Sequence, residues 1–231
     1  MTAGKRPHLP VAQRRTQLVA AAMRVMQRGG AWSLTTRAVA REAGVPLGAV
    51  HYAFGSKTEL VRAVFQADRE RATALLRRAV EAGGTPAEVL TRALEGYVDS
   101  VMADPGAEMV LQELTMMGGR DDELRAAAKE ATEQYRADVL DLMHRVAEAY
   151  GGTWAGDVDV LAESLLGLLF GASVNWLCTG DDVLFRRCAA DAAQTLAARL
   201  VPSGAGPGPA RGRTADGGGP PPEGDEPRRP S

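Results

Sequence analysis

Four glycine pairs, Gly29-Gly30, Gly83-Gly84, Gly118-Gly119 and Gly151-Gly152, divide a chain otherwise rich in helix formers. Glycine loses the most backbone freedom on folding and is the poorest helix residue after proline, so each pair marks a helix end rather than an interior. Between the pairs Ala, Leu, Arg, Glu and Met are abundant, and no run alternates apolar with polar residues as a half-buried strand would. Such a chain has to bury its apolar stripes by packing helix on helix. Its 231 residues are ample for a core.

Local signals set the element order. Pro10 opens a first helix with an apolar stripe at Leu18, Ala22, Val25 and Met26. Thr35 caps a second, running to about Ala43, and Pro46 opens a short third that ends near Ala53. Ser56-Lys57-Thr58-Glu59 and Thr85-Pro86-Ala87-Glu88 have the spacing of capping boxes. They start helices to about Ala82 and Ala103, the latter closed by Asp104-Pro105-Gly106. Glu108 to Met117, Asp121 to Tyr150, Val158 to Cys178 and Asp182 to Leu200 complete an all-α expectation of nine helices and no strand. Residues 202–231 hold eight Gly and eight Pro with no apolar period, too little to offset the entropy of ordering. The expected division is therefore 10–56, 57–200 and a disordered tail at 201–231.

Charge is distributed unevenly. Residues 1–65 carry ten Lys or Arg against Glu42 and Glu59, a net of +8, while residues 66–201 carry a net of −10. A basic module on an acidic body points to a polyanionic partner at one end only. The basic module also contains two closely spaced breaks. Ala40 presents only a methyl group where two helices would cross, Gly44 makes the turn, and Val45 and Val50 fill the wedge. That is the arithmetic of a helix-turn-helix, whose second helix can enter a major groove about 12 Å wide.

The segments RRTQLVAAAMRVMQRGG, TTRAVAREAGV and GAVHYAFGSKTELVRAVF resemble the DNA-binding domain of TetR-type (TetR/AcrR-like) transcriptional regulators over residues 14–65. Thr35-Thr36-Arg37, Ala40, Gly44-Val45, Gly48, Tyr52, Phe54 and Ser56-Lys57 fall at the family's spacing; Pro46, His51 and Ala53 depart from its usual residues. The resemblance implies a three-helix N-terminal domain and a larger helical effector-binding and dimerisation domain. It also implies a homodimer, and a repressor released from a palindromic double-stranded operator by a small molecule.

Individual roles follow. Arg37, at the start of the second helix, suits a bidentate guanine contact. Thr36 lies at a helix N-terminus suited to phosphate. Leu47 and Ala49 suit thymine methyls, His51 and Tyr52 reach phosphates or base edges, and Lys57 is a phosphate clamp. Pro46 and Gly48 complete the expected DNA face. Phe54 reads as a core plug.

In the body, the helix from Val158 to Cys178 is apolar on most sides, so two faces need cover. Leu161, Leu165, Leu168 and Leu169, with Phe185, Cys188, Ala192 and Leu196 on the next helix, are the expected dimer surface. For the effector, taken as largely apolar, the expected lining is Met102, Met109, Met116, Met117 and Met143. Tyr97, Gln112, Glu113, Tyr135, Asn175 and Trp176 are its expected polar and aromatic anchors.

Several function classes find no support. Cys178 and Cys188 lack metal or disulfide spacing and read as buried apolar residues, and His8, His51 and His144 are scattered, so neither metal nor cofactor is expected. No secretory signal or uninterrupted apolar span is found, which suggests the cytoplasm and no membrane partner. An architectural or activating DNA binder without effector remains an alternative. An all-α enzyme is a remote one, since no nucleophile motif or phosphate loop occurs.

Overall fold

The computed structural model describes residues 10–203. The expected tail from 204 onward, and His8, lie outside the described residues. Nine helices are present among the described residues: α1 Val11–Gly29, α2 Thr36–Ala43, α3 Leu47–Ala53, α4 Lys57–Glu81, α5 Pro86–Ala103, α6 Pro105–Gly118, α7 Asp122–Ala149, α8 Val158–Thr179 and α9 Asp182–Ala197. A short 3-10 turn, Ala31–Ser33, joins α1 to α2.

The caps explain most boundaries. Thr35 accepts from the Ala38 amide at the start of α2, and Gly44 closes that helix in the left-handed region at φ 63°. At α5 the Thr85 and Glu88 side chains reciprocate in a full capping box. At α4 only half of the box forms. Ser56 accepts from the Glu59 amide, but the Glu59 carboxylate reaches past it to the Gly55 amide, 2.9 Å away.

Three further expectations are corrected. Asp104-Pro105-Gly106 does end α5, yet it also starts α6, three residues before the expected Glu108. Asp104 caps the Ala107 amide, and Pro105 occupies the first turn, where a missing N–H costs nothing. The absence of strands is also overturned: β1 Gly152–Trp154 pairs antiparallel with β2 Leu200–Pro202, which takes residues 201 and 202 out of the expected tail. A Cβ at Gly152 would lie 3.0 Å from Val201 O, a tight contact that glycine avoids. Finally, Cys178 is exposed and Cys188 half-buried, because both sit on turns of α8 and α9 that face away from the core.

Two apolar cores form. The first gathers Leu18, Met26, Val39, Val50 and Phe54 with Leu60, Val64 and Phe65 of α4, and it continues into Val110 and Leu114 of α6 and Leu124 of α7. Packing thus crosses the expected division at 56/57. Phe54 is fully buried and carries the Arg15 guanidinium over its ring at 4.3 Å. The second core joins α5, α7, α8 and α9 through Leu90, Val98, Val139, Met143, Leu165 and Phe185.

That second core absorbs most of the surface expected for the dimer. Leu165, Leu169, Phe185, Ala192 and Leu196 are buried within the protomer, Leu161 packs against them, and only Leu168 is well exposed. The reason is α5, which lies along α9 and takes its single apolar stripe. The outward apolar residues are instead Val160, Leu168, Phe170 and Val174 on α8, with Val183 and Leu184 at the start of α9. By length and composition α8 is apolar enough to cross a membrane, and only 22% of its most apolar window is buried. It packs on α6, α7 and α9.

Candidate nucleic-acid interface and interior polar cluster

The short helix α3 lies on the outside of the first core. Val50 and Ala53 turn inward and are buried, while Gly48, His51 and Tyr52 face solvent, Tyr52 at 79%. Leu47 and Ala49 are half-buried on its flank, and Pro46 is exposed at its start. Because α3 packs by only one side, α2 can hold it across the Gly44 turn: the Val45 amide donates to Ala40 O at 3.0 Å. Gly48 has open space where a Cβ would be, so nothing in the protein itself demands a glycine there.

Charge around this helix is partly neutralised. Arg24 and Arg28 both bond the Glu42 carboxylate, and the two guanidiniums, Arg24 foremost, hold that carboxyl below its usual range. Arg37 and Arg41 are exposed and have no ion-pair partner among the described residues. Lys57, in the first turn of α4, and Thr36, in the first turn of α2, are half-buried beside the same surface. Of the expected DNA-facing residues, Arg37, Pro46, Gly48, His51 and Tyr52 are exposed and Thr36, Leu47, Ala49 and Lys57 are half-buried. Trp32, 69% exposed on the 3-10 turn and lying over Gly30, is an addition that no spacing had flagged.

The expected effector residues divide into groups. Tyr97 and Gln112 converge: the Tyr97 hydroxyl donates to Glu108 Oε1 at 3.4 Å, and Gln112 Nε2 donates to the same oxygen at 2.7 Å. Gln112 Nε2 also donates to Ser173 Oγ on α8, 2.8 Å away. Tyr135 donates to Asp68 of α4 at 2.6 Å. Burial first, and then the two carboxylates, push both tyrosine hydroxyls well above the ordinary range, so both remain protonated donors. Met102 and Trp176 pack at the edge of the second core and Met143 lies within it. Trp176 stacks on Phe185 at 5.6 Å, and Phe185 meets the Tyr97 ring edge-on at 6.4 Å.

The remaining expected residues lie elsewhere. Met109, Met116 and Asn175 are exposed, and Met117 packs on the first core. Glu113 turns to the other side of α6 and accepts from the Ala31 amide at 2.7 Å. Asp68, Glu108 and Ser173 were missed; the i, i+4 spacing of Glu108 and Gln112 was the available signal. Among the described residues no cluster of His, Cys, Asp and Glu is suited to a metal ion.

A helical body carrying a basic, outward-facing helix-turn-helix defines a DNA-binding transcription regulator. The sequence profile described as "Bacterial regulatory proteins, tetR family" matches residues 18–64, so the N-terminal module is similar to the DNA-binding domain of TetR-type transcriptional regulators. It is 23% identical over 174 residues to the HTH-type nicotine-responsive transcriptional repressor HdnoR of Paenarthrobacter nicotinovorans, a match spanning 75% of this chain and 89% of that one. Its fold is shared by a TetR-family regulator from Rhodococcus sp., with a TM-score of 0.71, 22% identity, and coverage of 80% of this chain and 98% of the other. It is shared too by FadR of Bacillus subtilis in complex with stearoyl-CoA, with a TM-score of 0.65, 17% identity, and coverage of 79% and 97%.

Proposed function

We propose that the protein is a homodimeric repressor, acting in the cytoplasm, that leaves a pseudo-palindromic operator when a small molecule binds its body. Residues 10–56 with the first turns of α4 form the reading head, and the rest of 57–200 the effector and dimer body. Arg37 reads guanine. Leu47 and Ala49 meet thymine methyls beside Pro46 and Gly48. Thr36 and Lys57 hold phosphate, and His51 and Tyr52 reach the backbone or base edges.

The observation that carries this reading is the pair of bonds tying α6 to the head. Glu113 holds the Ala31 amide, and Gln27 donates to Asp104 Oδ1 at 2.9 Å, so the N-cap of α6 and a point past its middle are fixed to α1 and its following turn. Between them Glu108 and Gln112 turn inward to the polar cluster. Through Asp68, which accepts from Tyr135 of α7, the long helix α4, which starts at Lys57, is tied to the body as well. A molecule that binds better when α6 and α4 are displaced therefore disfavours the DNA-bound placement of the heads. The effector-responsive behaviour named for the nicotine-responsive relative, and the acyl-CoA in the FadR complex, support an effector in this chain as well.

For the dimer we propose the outward face of α8. Ser164, Gly167, Leu168 and Gly171 recur at helical spacing there, and a Cβ at either glycine would meet open space, so a second α8 can approach closely. Two heads would then meet half-sites roughly 34–36 Å apart. Protection mapping on the promoter beside the protein's own gene tests the function. A protected inverted repeat with half-sites one helical turn apart is the expected result; uniform protection without a preferred site would favour the architectural alternative.

A further inference from the structure

The interior polar cluster has more acceptors than donors. Gln112 Nε2 donates to Glu108 Oε1 and to Ser173 Oγ. Ser173 Oγ is placed to donate to Phe170 O, 3.0 Å away, and also bonds the Tyr97 hydroxyl, while it accepts from Gln112 Nε2. Both neighbours of the amide nitrogen are thus acceptors, and turning the amide over would set oxygen against oxygen. Gln112 is 9% exposed, and its Oε1 is fully covered with no donor. A buried acceptor in this condition is uncommon in a folded protein.

The charge does not close either. Glu108 receives only neutral donors and has no ion-pair partner among the described residues. Asp68 is paired with Arg71 at 2.9 Å, but that arginine lies at the solvent edge. Asp68 accepts from Tyr135, whereas Glu108 accepts from Tyr97 and Gln112. The cluster's neighbours are aromatic: Tyr97 meets the buried Phe185 edge-on, and Trp176 stacks on Phe185.

We propose that this cluster receives a protonated amine attached to an apolar or aromatic body, with the ammonium N–H donating to Gln112 Oε1 and Glu108. The proposal rests on the reading of the body as the effector domain and names the chemical class of the effector. An ammonium supplies both missing quantities, a donor for the orphan oxygen and a positive charge for Glu108, and the aromatic faces suit a cation and its carbon frame. A ligand ending in carboxylate or phosphate would bring a further negative group to acceptors with no spare cation. Because Oε1 is covered, seating the ammonium parts α6 from α8 at the Gln112–Ser173 bond. Such a movement displaces the helix whose other side holds Ala31.

The test uses the full-length protein and matched probes at neutral pH, followed by titration calorimetry. These are 4-phenylbutylammonium, its N,N,N-trimethyl derivative, 4-phenylbutanol and 4-phenylbutyrate. The expected result is tightest binding of the primary ammonium, at least about tenfold over the alcohol. The trimethyl cation, which lacks N–H, falls below the primary ammonium, and the butyrate binds weakest. Glu108→Gln and Gln112→Met each reduce the primary ammonium to the level of the alcohol, with folding checked by helical dichroism. If a variant does not fold, the wild-type series decides alone. Equal or tighter binding of the butyrate, or no binding of the ammonium at millimolar concentration, overturns the assignment. Ammonium binding that leaves operator affinity unchanged would uphold the amine site and sink the effector reading. Operator release by the butyrate and not by the ammonium would uphold the effector reading and sink the amine site.

Discussion

The head and the body depart from the usual apolar-inside, polar-outside pattern in different ways. In the head the core is apolar throughout, and the feature of note is outside: Arg37 and Arg41 of α2 and His51 and Tyr52 of α3 stand exposed. In the body, Gln112 and Ser173 are buried and the half-buried Tyr97 and Glu108 join them, while Leu168, Phe170 and Val174 face out. Exposed cations without partners suit a polyanion, and covered polar groups without full pairing suit a small ligand. An outward apolar helix suits a second copy of itself. Each part therefore breaks the common rule in the way its proposed partner requires.

The contrast can be broken most forcefully at α8. Leu168→Arg places a charge on the proposed α8–α8 contact while leaving the protomer's core untouched. The expected outcome, read by light scattering at micromolar concentration, is a monomer that no longer binds the full operator. A dimer unchanged by this variant would move the interface elsewhere. Next in size are the head residues. Arg37→Ala should cost about 1–3 kcal/mol on the operator and much less on scrambled duplex, whereas Lys57→Ala should weaken both alike. Fluorescence anisotropy with the two duplexes separates these roles, and equal losses for Arg37→Ala would remove it from base reading.

Two glycines sharpen the comparison further. At Gly118 a Cβ would sit 2.4 Å from the Ala128 Cβ, where α6 crosses α7, so Gly118→Ala should destabilise the fold by about 1–3 kcal/mol in denaturant melts. At Gly48 the same methyl group meets open space. Gly48→Ala should leave stability equal or higher by up to about 1 kcal/mol, yet weaken operator binding if phosphate or base approaches the α3 backbone there. Retained operator affinity would show that DNA keeps its distance from residue 48.

The smallest effect concerns Glu42. Its carboxyl is held below the ordinary range when folded, so its pairing with Arg24 and Arg28 adds stability above the unfolded carboxylate pKa. That contribution is lost as pH falls through the lowered folded value. The gap in melting temperature between wild type and Glu42→Gln should close on acidification; a constant gap would contradict the pairing.

How legible each part was in the sequence follows from the range of its signals. The head depends on cues a few residues apart, such as the Thr35 cap, the Gly44 turn and the Ala40 contact, and its elements match the expectation closely. The start of α6 was missed because Asp104-Pro105-Gly106 reads equally as a stop and as an N-terminus. The β1–β2 pair was missed because it joins two three-residue segments far apart in the chain, too short for a period to show. The apolar stripe of α9 can cover its own protomer or a partner, and only the position of α5 decides. Gln112 and Glu113 read alike as polar anchors, yet adjacent positions on a helix point about 100° apart, so one faces the cluster and the other the head.

The central claim is that the exposed side of α2 and α3 reads a specific duplex. It is tested most directly by the affinity of the purified protein for its own promoter fragment and for a scrambled duplex, measured across a salt series. The account predicts a promoter preference of roughly a thousandfold or more at physiological salt, with both affinities falling as salt rises. Equal affinities for the two duplexes at every salt concentration would contradict it.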